Sequence, residues 1–295
     1  MKIALITGAS SGMGREFVYA IDRDFELDEI WVVARRKERL EELAEKCRTK
    51  IRPIALDLGK RENFAVLKGM FAAETPDIRV LVNAAGFGLF GVFKDMDMDK
   101  QLDIIELNDR ALTAVTYMAI PYMSKGSHII NMASNSSWQP VPYINVYGAS
   151  KAYVLNFSRA LGVELKSLGI HVMAVAPCWI KTEFFDHAVH DNTIKYYDRY
   201  YTAEQVVTKA MKDLKRNKKV SILGFPVRLQ VLGVKLLPNW LVMKVWCRQQ
   251  GKQLRKLLSK IFTRCVGIVD FYWLTRHLDT VILHDVKSFD FLRGI

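Results

Sequence analysis

Hydrophobic positions in this chain come in short, nearly unbroken runs, each followed by a longer stretch in which apolar residues return every three or four positions. The runs "KIALIT" (2–7), "EIWVVA" (29–34), "KIRPIAL" (50–56), "IRVLVN" (78–83), "SHIINMA" (127–133), "IHVMAVA" (170–176) and "KKVSIL" (218–223) predict strands. The segments between them predict helices, as in "KERLEELAEKC", where Leu40, Leu43 and Ala44 fall on one face. Such βαβ alternation predicts an α/β fold, a doubly wound parallel sheet covered by helices on both sides. No internal repeat and no low-complexity linker divides the chain.

Two of the predicted strand ends carry chemistry. After the first strand, "TGASSGMGRE" places Gly8, Gly12 and Gly14 ahead of a helix. Glycines there let the backbone turn sharply and approach a pyrophosphate, whose charge then sits at the helix N-terminus. The spacing is not the usual G-x-G-x-x-G, and a purely structural turn is the alternative. At the end of the second strand, where an acid would hold a ribose 2′-hydroxyl, the chain has Ala34, Arg35 and Arg36. An arginine fork suits a 2′-phosphate, which favours NADP(H) over NAD(H); solvated charges at a helix start are the competing reading.

A third feature lies in "VYGASKAYVLNFSRAL" (146–161), which sets Tyr147 four residues before Lys151 at the start of a predicted helix. Positions i and i+4 share a face. An ammonium about 5 Å from a phenol, at an effective dielectric near 20, favours the phenolate by roughly 3 kcal/mol, about two pKa units. The spacing therefore predicts a tyrosine able to exchange a proton near neutrality.

At 295 residues, half of them hydrophobic, the chain can bury a large core. Cys47, Cys178, Cys247 and Cys265 are far apart and form no C-x-x-C pair, which speaks against a disulfide framework or a zinc site. His187 and His190 in "HAVH" make a weak metal candidate, and no metal is expected; no G-x-S-x-G elbow points to a serine hydrolase. The strand-like start "KIALITG" and the absence of a long apolar run predict a cytoplasmic protein, not secreted and without a transmembrane span.

With these motifs in place the chain resembles the short-chain dehydrogenase/reductase family. The likeness rests on "TGASSGMG" (7–14), Asp57 after the third strand, "NAAG" (83–86), Asn108, Ser134 and "YGASK" (147–151), and it extends over about residues 1–225. Ser134 precedes Tyr147 by 13 residues, as the family pattern requires. The resemblance implies a Rossmann-type domain and a catalytic set of Asn108, Ser134, Tyr147 and Lys151. In that set Tyr147 is the general acid or base and Ser134 hydrogen-bonds the substrate oxygen. Lys151 lowers the tyrosine pKa and binds the nicotinamide ribose, and Asn108 anchors a relay water. It also implies cofactor contacts from Thr7, Gly8, Ser10, Ser11, Gly12, Met13 and Gly14, with Asp57 and Leu58 at the adenine. Asn83, Ala84 and Gly86 would line the cleft, although Asn83 could equally brace the strands. The family's P-G-x-V-x-T reads "PCWIKT" here, so Pro177, Ile180 and Thr182 are retained while Cys178 stands where a flexible glycine is usual.

The expected activity is an NADP(H)-dependent interconversion of a carbonyl and a secondary alcohol, with a catalytically idle NADP-binding scaffold as the rival. The segment 183–202 falls where the family places its substrate lid. Its Phe184, Phe185, Tyr196, Tyr197, Tyr200 and Tyr201 suggest a lipophilic alcohol or ketone, or else ordinary packing. A homodimer or homotetramer is the family expectation. Charge divides unevenly: residues 1–200 carry 25 basic and 25 acidic side chains, residues 201–295 carry 18 and 6, so the net +12 lies wholly in the last third. Residues 226–295 thus read as a basic amphipathic helical appendage, with 15 basic residues and one acid between Lys209 and Arg264. An anionic membrane surface or a cover over the site ranks first for it, an oligomer contact follows, and nucleic acid comes last. Residues 265–295 match no pattern.

Overall fold

The computed structural model describes residues 1–188, 193–194 and 200–251. The side chain of His187, together with His190, Tyr196, Tyr197 and residues 252–295, lies outside the described residues, and with them the end of the basic stretch.

Nine strands are described: β1 (Lys2–Thr7), β2 (Glu29–Ala34), β3 (Lys50–Ala55), β4 (Asp77–Asn83), β5 (His128–Met132), β6 (His171–Val175), β7 (Trp179–Ile180), β8 (Tyr200–Tyr201) and β9 (Val220–Ser221). The helices are α1 (Gly12–Asp24), α2 (Lys37–Glu41), α3 (Asn63–Glu74), α4 (Met98–Ile105), α5 (Leu112–Ala119), α6 (Asn145–Glu164), α7 (Phe184–Ala188), α8 (Ala203–Leu214), α9 (Phe225–Leu236) and α10 (Asn239–Gln249). Seven strands form one sheet in the order β3-β2-β1-β4-β5-β6-β9, every pair parallel, so the fold is a Rossmann-type doubly wound α/β sheet. The chain starts in the middle and winds outward in both directions. The strand order therefore reverses between β1 and β4, and a crevice opens beyond their C-terminal ends.

Alternate residues of the strands supply two cores. Ala4, Ile6, Val32 and Val82 face one side, where they pack with Phe17 and Ile21 of α1 and Val207 and Met211 of α8. Ile3, Leu5, Val33 and Leu81 face the other, with Leu67 and Phe71 of α3 and Val115 of α5. Trp31 is fully buried there, stacked on Phe71 at 6.1 Å and capped by the Arg52 guanidinium 4.5 Å from its ring.

Two elements are shorter than their patterns predict. Helical bonding in α2 stops at Glu41 and gives way to turns, in which Leu43 and Ala44 donate to the carbonyls three residues back. The tighter winding still brings Leu40 and Leu43 into the core. The last strand is only Val220–Ser221, because at the sheet edge it meets β6 over two residues.

Candidate active site

The turn between β1 and α1 is built by backbone contact. Gly8 has φ +69°, and a Cβ there would stand 2.6 Å from the Ala85 nitrogen; one at Gly14 would collide with the Gly8 carbonyl. Thr7 fixes the facing loop, its Oγ1 accepting from the Ala84 and Ala85 N–H groups at 3.2 Å. Ser11 occupies the N-cap of α1 without a side-chain capping bond, and the first turn of α1 holds no acid. Its free N–H groups and positive dipole end suit an anion. Met13 lies on the substrate side of this turn, at the edge of the main cavity.

The arginines at the end of β2 separate. Arg35 is exposed, whereas Arg36 turns inward and donates to Ser10 Oγ at 3.0 Å and Ser11 Oγ at 2.9 Å. Arg36 also donates to Glu183 Oε2 at 2.8 Å, while Arg39, one turn into α2, donates to Glu183 Oε1 at 2.5 Å. These two guanidiniums hold the Glu183 carboxyl down at about 2. Arg39 and Glu183 were not singled out in the sequence. The i, i+3 spacing of Arg36 and Arg39 is the signal that pairs them.

Asp57 and Leu58 follow β3. The Asp57 carboxylate accepts from its own turn at the Gly59 N–H, 3.0 Å away, and Leu58 sinks into the core. Asn83 is buried at the end of β4 and donates to Thr116 Oγ1 and Asn131 Oδ1, both at 2.9 Å, so its side chain braces β4, β5 and α5. A Cβ on Gly86 would come within 2.7 Å of Asn108 Oδ1 and 3.4 Å of Lys151 Nζ, which explains the glycine.

The four residues of the expected catalytic set meet at the switch point. Asn108 sits in a π-helical turn, Glu106–Ala111, a distortion frequent at functional sites. Its amide is fully engaged with the Phe87 N–H, the Phe87 carbonyl and Ser150 Oγ, at 2.9–3.0 Å, and so pins the loop after β4. Ser134 caps a short 3₁₀ turn after β5, its Oγ accepting from the Ser136 N–H at 3.2 Å. Tyr147 lies in the first turn of α6, and Lys151 one turn on donates to the Met132 carbonyl at 2.9 Å.

One expectation is modified by burial. The Lys151 ammonium lies 5.6 Å from the centre of the Tyr147 ring, as the spacing predicts, but it donates to the Met132 carbonyl in a site closed to solvent. Burial pushes the phenol up to about 12, with the Ser134 hydroxyl pulling the other way. Burial also lowers Lys151 to about 8, opposed by the charge of Asp109. Asp109 was missed as well; burial raises its carboxyl to about 7, and its Oδ1 finds no hydrogen-bond partner.

Beyond β6, Pro177 accepts from the Asn135 N–H at 2.8 Å, and Asn135 donates to Cys178 Sγ at 3.4 Å, so this loop is tied to the turn that carries Ser134. Ile180 is buried in β7, and Thr182 faces Gly12 across the glycine-rich turn. Phe184 packs on Tyr147 with centroids 5.4 Å apart, and Phe185 packs on Trp179 and Tyr200. A cavity of about 840 Å³, counting its open mouth, is bounded by Ser134, Tyr147, Phe184, Phe185, Gln230 and Trp246. The last two come from α9 and α10. Trp246 donates to the Pro142 carbonyl at 3.0 Å and stacks on Trp179, so part of the expected appendage covers the site. Among the described residues no three His, Cys, Asp or Glu side chains converge as metal ligands.

The uncapped helix N-terminus beside a glycine turn without side chains fits the pyrophosphate of a dinucleotide. The family model for short chain dehydrogenase matches residues 2–193. Sulfoacetaldehyde reductase 2 of Chromohalobacter salexigens is 36% identical over 193 residues, 62% of this chain and 74% of that protein. The very-long-chain 3-oxoacyl-CoA reductase of Bos taurus is 29% identical over 256 residues, 82% of this chain and 77% of that protein. Among solved structures, a short-chain dehydrogenase from Sphingobium yanoikuyae in complex with NADPH superposes with a TM-score of 0.69 at 28% identity, over 79% of this chain and 92% of that one.

Proposed function

The chain belongs to the short-chain dehydrogenase/reductase family, whose members interconvert carbonyls and alcohols, and we propose that this one uses NADP(H) and acts on a lipophilic ketone or secondary alcohol. The observation that carries the reading is the shared cavity: the Ser134 and Tyr147 side chains border the same space as Phe184, Phe185 and Trp246. Aromatic walls around two hydroxyls suit an apolar substrate with one reactive oxygen. The cattle relative, a 3-oxoacyl-CoA reductase by name, supports that substrate class.

The roles follow from position. Tyr147, protonated over the physiological range, gives its proton to the carbonyl oxygen in reduction, while the Ser134 hydroxyl hydrogen-bonds the same oxygen. Lys151 sits one turn below as the charged neighbour, and Asn108 keeps the loop after β4 in place. Bound NADP(H) supplies or accepts the hydride. Arg36 and Arg39 would hold its 2′-phosphate, the N-terminus of α1 its pyrophosphate, and Thr182 its carboxamide. Tyr147→Phe should cut turnover by about 10²- to 10⁴-fold while NADPH binding, read by cofactor fluorescence, persists. Unchanged turnover would refute the assignment. NADPH binding with no turnover of any member of a broad ketone panel by the wild type would instead favour the idle scaffold.

A surface feature bears on where such a substrate is met. Phe225, Leu229, Leu232 and Leu236 are exposed at spacings of four, three and four along α9, with Trp240 beyond. Arg228 of α9 and Arg248 of α10 are exposed as well, and no acid occurs between 214 and 251. An apolar stripe in a basic segment matches an anionic bilayer surface, into which α9 would lie flat. Among the described residues no helix is long and apolar enough to cross a membrane. Exposed Leu102, Ile105, Tyr117 and Tyr153 on α4, α5 and α6 offer a separate apolar face for a second copy of the chain.

A further inference from the structure

We infer that Glu183 is a specificity-determining residue for the cofactor, a built-in anion that competes for the two guanidiniums expected to read a 2′-phosphate. The inference rests on the NADP(H) reading. Three observations carry it. First, the two oxygens of one carboxylate are divided between two arginines, Arg36 at 2.8 Å and Arg39 at 2.5 Å. Second, Arg36 reaches this carboxylate while its other nitrogens hold Ser10 and Ser11, so the clasp is anchored in the glycine-rich turn itself. Third, Glu183 arrives from the far side of the crevice, 147 residues on in sequence, next to Thr182, whose side chain would touch a Cβ on Gly12 at 3.4 Å. The Thr182–Glu183 segment therefore crosses the phosphate-binding turn, and its charge completes the arginine pair.

Two guanidiniums side by side repel each other and need an anion between them. A carboxylate meets that need here. A phosphate with up to two negative charges and three acceptor oxygens meets it better, so it can evict Glu183. A 2′-hydroxyl cannot, and a cofactor without the phosphate leaves the clasp shut. Glu183 thus tempers the affinity for NADPH and has little bearing on NADH. Because the three side chains are each about two-fifths exposed, the competition is modest.

The test is Glu183→Gln, a replacement of the same size that keeps hydrogen bonding and removes the charge. Dissociation constants for NADPH, NADH and 2′-AMP are measured by fluorescence and calorimetry on the full chain. NADPH and 2′-AMP should bind the variant about three- to tenfold more tightly than the wild type, with NADH unchanged within about twofold. Arg39→Gln should weaken NADPH and 2′-AMP and leave NADH alone. Equal or weaker NADPH binding by Glu183→Gln, or equal gains for both dinucleotides, overturns the competition. A wild type that binds NADH but shows no preference for NADPH overturns the cofactor reading itself, and that result is visible before any variant is made.

Discussion

At the scale of single residues, the titration of Tyr147 and Lys151 sets what the site does at each pH. Reduction needs the phenol protonated and the ammonium charged. The phenol is pushed up to about 12, so it stays protonated well beyond neutrality, whereas Lys151, lowered to about 8, loses its charge above that value. The kcat/KM for ketone reduction should be level from pH 6 to about 7.5 and fall above about 8, while alcohol oxidation, which needs the phenol to release its proton, should rise with pH. A reduction profile still level at pH 9.5 would show that the Lys151 charge is not used. The pair was legible from its i, i+4 spacing. Its protonation states were not, because they depend on burial in the folded chain, with Ser134 acting on Tyr147 from 13 residues away and Asp109 on Lys151 from 42 residues away. Arg35 and Arg36 show the same limit. Two adjacent arginines read alike in sequence, and only the direction in which the strand ends decides that Arg36 enters the crevice with Arg39 as its companion.

Elements show where pattern suffices. Six of the seven predicted strands appear nearly at full length, including the edge strand β3, which pairs with β2 over six residues. The seventh shrinks to the two residues that pair with β6 at the opposite edge. Periodicity gave no sign of the π-helical turn at Glu106–Ala111, since inserting a wider turn needs only local sequence that also fits an α-helix. The starts of β5 and β6 carry a further consequence. His128 and His171 meet edge to face at 5.9 Å, and burial lowers His128 to about 4 and His171 below its ordinary value. At this pair the folded form binds fewer protons than the unfolded chain between about pH 4 and 6.5, so the pair's contribution to stability falls as the pH falls through that window, whereas Asp109, raised to about 7, contributes in the opposite sense. Unfolding free energies from urea titrations should show His128→Gln gaining about 1–2 kcal/mol on the wild type between pH 7.5 and pH 5. The same pH dependence in both proteins would place the sensitivity elsewhere.

For the whole molecule, the charge division between residues 1–200 and 201–295 was plain in the sequence, but the side on which the basic part lies was not. The structure brings α9 and α10 over the cavity, with Gln230 inward and Leu229 and Leu232 outward. If that outer face seats on lipid, the chain should float with vesicles containing phosphatidylserine and not with purely zwitterionic ones. A basic side chain near such a surface contributes about 1 kcal/mol, so about 0.5 M salt should release the chain. Leu232→Asp with Leu236→Asp should abolish flotation and leave turnover of a water-soluble ketone intact; flotation unchanged in this double variant would exclude the α9 face. The indole of Trp246 hangs from the carbonyl of Pro142, five residues ahead of the proton-donating tyrosine. A pull on α10 is therefore delivered, like tension through a guy-rope, to the root of the helix that seats the chemistry.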